Sequence, residues 1–228
     1  MKTIVYHQRL GDIINCFPAA RHFASQGEEV FIECLPQYAS ALDLISYAKW
    51  TEPGSGEGEI LDFQIWPHRY NEYRSSGKSY VDFMYDHPAL NGVDRQIILD
   101  RVPSGPPPRM PDQYNLLASL GISQGWKYAT LDILSQAAEL LGDFIILCEK
   151  DYYFYQRHWT AQNIVELAQA VNHADKFMCI NSAPAVLASA LRQNRPTYFF
   201  PQQDQWSQDN IPSWPGRIDY AKDHWPET

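Results

Sequence analysis

The sequence predicts an α/β protein with parallel sheets in two lobes, the second of them small. Three observations carry this. Apolar, β-prone runs at Thr3–Tyr6 and Glu29–Cys34 flank a helical stretch, 17–26, in which Ala19, Ala20, Phe23 and Ala24 share one face. Two such strands joined through a helix form a crossover unit, and crossover units make parallel sheets. A second alternation begins near residue 126, with a continuous apolar strand at Phe144–Cys148 of the kind covered on both faces. Finally, 228 residues, 45% of them hydrophobic, are enough to bury a core in one large or two small domains. The division is placed at 1–125 and 126–228.

The remaining elements follow in chain order. A helix is expected over Tyr38–Ile45. TEPGSGEG at 51–58 is a loop by composition, Ile60–Trp66 alternates as a strand, and His68–Lys78 is a polar, aromatic surface segment. Tyr80–Tyr85 fits helix or strand, and Val93–Leu99 leans to helix. After the break at Ser104–Pro108, Asp112–Leu120 reads as a helix with Tyr114, Leu117 and Leu120 on one stripe, stopped by Gly121. In the second lobe, Thr160–Val171 is a helix, Lys176–Ile180 a strand, Pro184–Arg192 a helix and Thr197–Phe200 a strand. The tail from Gln202, with Trp206, Trp214 and Trp225, is expected to wrap the surface.

Composition narrows the function classes. A net charge of −9 argues against a nucleic-acid partner, which requires a basic surface. No run approaches the length of a membrane helix and no signal-peptide pattern is present, so a cytoplasmic location is expected, with at most peripheral membrane contact. Cys16, Cys34, Cys148 and Cys179 are scattered and contain no CxxC pair, which reads as reduced, mostly buried thiols and no metal site.

Two turns can carry chemistry. In the first, Gly11 and Asp12 sit between the Thr3–Tyr6 strand and the next helix, where open α/β sheets place their sites. Glycine permits a tight turn there, and the aspartate is an acid at the sheet edge or simply a helix cap. In the second, Asn181, Ser182 and Ala183 lead from a strand into a helix whose free N–H groups suit a diphosphate, or form an ordinary Asn/Ser cap. Lys150 and Arg157 follow the Phe144–Cys148 strand as cations for phosphate or as solvated surface charges. The aromatic run Tyr152–Tyr155 can stack on a base or sugar, or pack between lobes.

Together these segments resemble glycosyltransferase family 9, the ADP-heptose:lipopolysaccharide heptosyltransferases. LGDIINCFPAARHF resembles that family's start, and INSAPAVLASALRQNRPTYFF its Asp-(Thr/Ser)-Gly-Pro-x-His motif. Tyr114–Ile122 is similar to the helix that closes the family's first domain. The resemblance implies a GT-B-like architecture of two Rossmann-like lobes, with the acceptor on the first and a nucleotide-sugar donor on the second. It implies Asp12 as general base with Gly11 beside it, and Ser182 and Ala183 as phosphate contacts with Lys150 or Arg157. Charge on the leaving diphosphate is then offset by helix N–H groups and a basic side chain rather than a metal. Donor and glycan acceptor are substrates, and no cofactor is implied. The departures are Asn181 for the motif's Asp, Ala183 for its Gly and Val186 for its His. Only about 30 residues separate Cys148 from the motif, where the family carries a further βα unit, so the second lobe reads as reduced.

Three functions are therefore weighed: an inverting glycosyltransferase, a reduced GT-B protein that binds nucleotide or glycan without transfer, and an epimerase of the UDP-GlcNAc 2-epimerase type.

Overall fold

The computed structural model describes residues 1–119, 131–148, 157–180, 182–200 and 214–219. They fall into two compact units, Met1–Arg101 and Val102–Thr228.

The first unit opens with β1 (Lys2–Val5), α1 (Leu10–Asn15), α2 (Phe17–Ser25) and β2 (Val30–Glu33). β3 (Lys49–Thr51) and β4 (Glu59–Asp62) complete a parallel sheet of order β3-β2-β1-β4. Strand alternation sends Ile4 and Ile32 to one face, where they are fully buried together with Ile13, Phe17 and Ala20 of the helices. The other face carries Thr3 and Glu33. The β3–β4 connection crosses it. Thr3 Oγ1 donates to the Glu57 carbonyl at 2.7 Å, and the Gly56 N–H donates to Glu33 at 3.2 Å. Burial opposes the charge of Glu33, but hydrogen bonds from Gly54, His7 and Gly56 more than offset it and hold the carboxyl below the usual range.

Two short helices follow, α3 (Tyr70–Ser76) and α4 (Tyr80–Met84). Ser79 caps α4, its Oγ accepting from the Asp82 N–H at 3.1 Å. Two expectations fail in this unit. Pro36–Leu44 is 3₁₀ rather than α-helical. Val93–Leu99 has no regular structure, because Asp94 and Arg95 are tied outward to Arg21 and Asp82 instead of to a helical ladder.

The second unit holds β5 (Leu116–Ala118), α5 (Leu131–Leu141), β6 (Ile145–Leu147), β7 (His158–Trp159), α6 (Ile164–His173), β8 (Phe177–Ile180), α7 (Ala183–Leu191), β9 (Thr197–Phe200) and β10 (Arg217–Asp219). All six strands are parallel, in the order β10-β9-β8-β5-β6-β7. Numbered within the unit and read from β7, this is 3-2-1-4-5-6, the doubly wound order of nucleotide-binding sheets. Its switch point lies between β5 and β8. Leu117, Ile146, Met178, Ile180 and Phe200 form a buried cluster with Ile133, Ala137 and Leu141 of α5. On the opposite face the Phe177 ring lies under the guanidinium of Arg192, 5.7 Å from its centroid. Arg192 is fully buried and bonds almost wholly to main-chain carbonyls: Val171 at 3.0 Å, Ala174 at 2.6 Å, Asp175 at 3.3 Å and Pro196 at 3.0 Å. It thus satisfies the last carbonyls of α6 from outside that helix.

The main correction concerns Asp112–Leu120, expected as a helix closing the first domain. Leu116–Ala118 is a strand, paired with β6 and β8. Its residues are buried, so Leu117 serves a two-faced strand and the helical stripe is incidental. Residues 112–119 therefore belong with the second unit, ahead of the division placed at 125/126. Within the tail, the described residues 214–219 depart from a surface wrap, since β10 pairs with β9 and Trp214 is buried. Trp206, Trp225 and the aromatic run Tyr152–Tyr155 lie outside the described residues. All four cysteines are free and buried, as expected.

Candidate functional site

The carboxyl edge of the first sheet brings together Tyr6, His7, Asp12, Glu33 and Tyr80. Backbone pairing runs one residue past β1, with the Tyr6 N–H donating to the Glu33 carbonyl at 3.0 Å. The chain then turns at Arg9, whose φ of 58° is in the left-handed half of the map that non-glycine residues avoid. The turn does not fall on Gly11. That glycine and Asp12 lie in the first turn of α1, so Asp12 is no N-cap, and glycine's freedom is not what shapes the bend.

Asp12 is half-buried, and the protein packed around its carboxyl strips away much of its water. Tyr6 Oη donates to Asp12 Oδ2 at 2.7 Å, Tyr80 Oη approaches the same oxygen at 3.3 Å, and the two phenols also contact each other. Burial pushes the Asp12 pKa up to about 6, against the opposing effects of the Tyr6 bond, the Arg9 charge and the Tyr80 bond. Such a carboxylate is ionised at neutral pH yet far more basic than one in water, as a general base requires. Tyr6 and Tyr80 are the functional neighbours that the sequence reading missed. No local pattern links residues 6, 12 and 80; only the packing of α4 does. Beside them His7 Nε2 pairs with Glu33 at 2.7 Å.

In the second unit, Ser182 and Ala183 sit just past the carboxyl end of β8, at the switch point, and are partly exposed. Ser182 is extended and does not cap α7; its Oγ donates to the Ile180 carbonyl at 3.1 Å. Pro184 has no N–H, and the N–H groups of Ala185 and Val186 both bond the Ser182 carbonyl, at 2.9 and 3.3 Å. The anion-binding capacity of this first helical turn therefore rests on the Ala183 N–H. Across the switch point, Ser119 follows β5. It is fully buried and its Oγ has no hydrogen-bond partner. A serine ending the apolar run Leu116-Leu117-Ala118 was the signal for it.

Arg157 is placed elsewhere. It precedes β7, so it lies at the amino edge of the sheet, while Ser182 follows β8 at the carboxyl edge. Parallel strands put these positions at opposite ends, and the Arg157 guanidinium is ion-paired with Asp143. It lines a cavity of about 600 Å³ at that amino edge with Tyr114, Phe144 and Trp159. The expected joint action of Arg157 and Ser182 on one phosphate is not met. Lys150 and Asn181 lie outside the described residues.

No family model matches the sequence, and no curated protein matches it. Solved structures do match. The iron-containing dodecameric glycosyltransferase TibC of enterotoxigenic E. coli H10407 aligns with a TM-score of 0.66 at 16% identity, over 95% of this chain and 61% of its own. A glycosyltransferase family 9 protein of Veillonella parvula DSM 2008 aligns with a TM-score of 0.62 at 9% identity, over 96% of this chain and 85% of its own. The E. coli heptosyltransferase WaaC, solved with ADP-2-deoxy-2-fluoro heptose, gives 0.60 at 11% identity, over 96% and 93%. The chain has the fold of glycosyltransferase family 9. This is a GT-B-type fold, and the chain spans about 61% of the TibC length. TibC is described as iron-containing, but among the described residues of the present chain no three His, Cys, Asp or Glu side chains gather as a ligand set. No helix among them is long and apolar enough to cross a membrane.

Proposed function

We propose that this chain is a glycosyltransferase that moves a sugar from a nucleotide-diphosphate donor to a hydroxyl of a glycan or lipopolysaccharide-type acceptor. The observation that carries the reading is Asp12, a partly exposed aspartate whose desolvated carboxyl has its pKa raised to about 6, at the carboxyl edge of a parallel sheet. Asp12 takes the proton of the acceptor hydroxyl as its oxygen bonds the anomeric carbon. The carbon–oxygen bond to the diphosphate breaks on the opposite side, the nucleoside diphosphate leaves with the electron pair, and configuration inverts. Ser182 and the Ala183 N–H, at the switch point of the second sheet, are the groups assigned to the donor. Lys150 and Asn181 are assigned to it by resemblance alone. The fold likeness to heptosyltransferases supports this reading.

A second reading, nucleotide or glycan binding without transfer, is favoured by Pro184 and by the N–H groups already consumed at the start of α7. A panel of ADP-, UDP- and GDP-sugars separates the two. Under the first reading one donor raises the melting temperature and is consumed with an acceptor, and Asp12→Ala keeps the thermal shift while losing transfer. Binding without turnover selects the second, and absence of any shift across the panel removes the first.

A further inference from the structure

The hydrogen-bonded row Tyr80–Tyr6–Asp12 has a direction, and that direction assigns work to each oxygen of the carboxylate. We infer that Tyr6 and Tyr80 are positioning residues for Asp12: their hydroxyls hold Oδ2 and so reserve Oδ1 as the oxygen that receives the acceptor's proton. The inference rests on Asp12 acting as the base.

Two elements far apart in sequence converge here. Tyr6 extends β1, and Tyr80 opens α4, 68 residues beyond Asp12. Each phenol has one proton to give. Tyr6 gives its proton to Asp12 Oδ2 at 2.7 Å, so the single Tyr80 proton is shared between Tyr6 Oη, the nearer acceptor, and Asp12 Oδ2 at 3.3 Å. Every donor in the row thus points toward the carboxylate, and Oδ1 accepts no hydrogen bond among the described residues. Burial first, then the Asp12 charge, hold both phenols well above their usual pKa, so they remain donors wherever Asp12 is ionised. The Tyr80 ring is fixed edge-on against Tyr73 at 5.7 Å, which keeps its hydroxyl in place. The other charged or titratable groups facing Asp12 are Arg9 and Cys16. Arg9 is exposed and acts through its charge alone, and the buried Cys16 thiol donates to the Asp12 main-chain carbonyl at 3.3 Å. Neither occupies Oδ1. A carboxylate held by one oxygen in a fixed plane presents one lone-pair direction to an incoming hydroxyl, which is the orientation that proton abstraction needs.

The test is a carbon-13 carboxyl titration of Asp12 in the full chain, the Tyr6→Phe chain and the Tyr80→Phe chain. The phenylalanines keep the ring packing. The wild-type midpoint is expected near 6. Loss of a donor to the charged form raises it by about one unit in Tyr6→Phe and by less in Tyr80→Phe, whose contact is longer. Where transfer is measured, the acidic limb of the kcat profile moves with the midpoint, kcat falls, and KM for the donor sugar stays. A purely packing role for the phenols would change the melting temperature and leave the midpoint in place. Unmoved midpoints in both folded variants overturn the inference; should Tyr6→Phe fail to fold, Tyr80→Phe decides alone. A moved midpoint in a chain that transfers from no donor upholds the tyrosine contacts and sinks the transferase reading instead.

Discussion

Replacing Asp12 by asparagine is expected to stabilise the protein near neutral pH and to do much less in acid. The folded-state pKa is raised, from 3.8 to about 6, because enclosure disfavours the charged carboxylate. The native state therefore binds more protons than the unfolded chain between these values. Stability from this group is complete below pH 3.8 and is lost as pH rises through about 6. About two units at about 1.4 kcal/mol each give a cost of about 3 kcal/mol at pH 7.5 and about 1 kcal/mol at pH 4.5. Asparagine removes the charge, fits the same space and keeps an oxygen for Tyr6, so a net gain of about 1–3 kcal/mol is expected at pH 7.5. Urea unfolding of both chains at the two pH values, extrapolated to water, measures it. Equal stability changes at pH 4.5 and 7.5, or a loss at 7.5, would refute the claim that Asp12 is a strained charge. The same variant is expected to lose transfer, making Asp12 a residue kept at the expense of stability.

Two further outcomes concern buried polar groups. Arg192→Met leaves the carbonyls of Val171, Ala174 and Pro196 without their donor and is expected to cost about 3–5 kcal/mol in urea unfolding, more than its lost packing explains. Asn15→Leu goes the other way. Both side-chain polar atoms of Asn15 are buried without a partner, so leucine of similar volume is expected to raise the melting temperature, by about 1 kcal/mol in stability terms.

The elements legible in the sequence were those whose signal is local. β1, α2, β2, β8 and α7 each announce themselves by period and by flanking polar residues. β5 did not, because three apolar residues between Tyr114 and Leu120 satisfy a helical spacing as readily as a strand, and only pairing with β6 and β8 decides. β7, two residues long, and β10 exist only through their neighbours. The site divides similarly. Asp12 was legible from its place after a buried strand, but Tyr80 reaches it through tertiary packing. Arg157 looked like a companion to Ser182 by order along the chain, and strand direction set them at opposite edges.

The ends of the two sheets constrain how this protein can meet others. An unpaired strand edge is a template for another strand, yet here each outermost strand is short and carries charge or a bulky ring. β3 and β4 bear Lys49, Glu59 and Asp62, β10 bears Arg217 and Asp219, and β7 is only His158 and Trp159. Charged side chains on such short strands disfavour strand-by-strand growth into a shared sheet. Association with a second copy or with a different protein is therefore expected to run through side-chain surfaces rather than through strand pairing at the described edges.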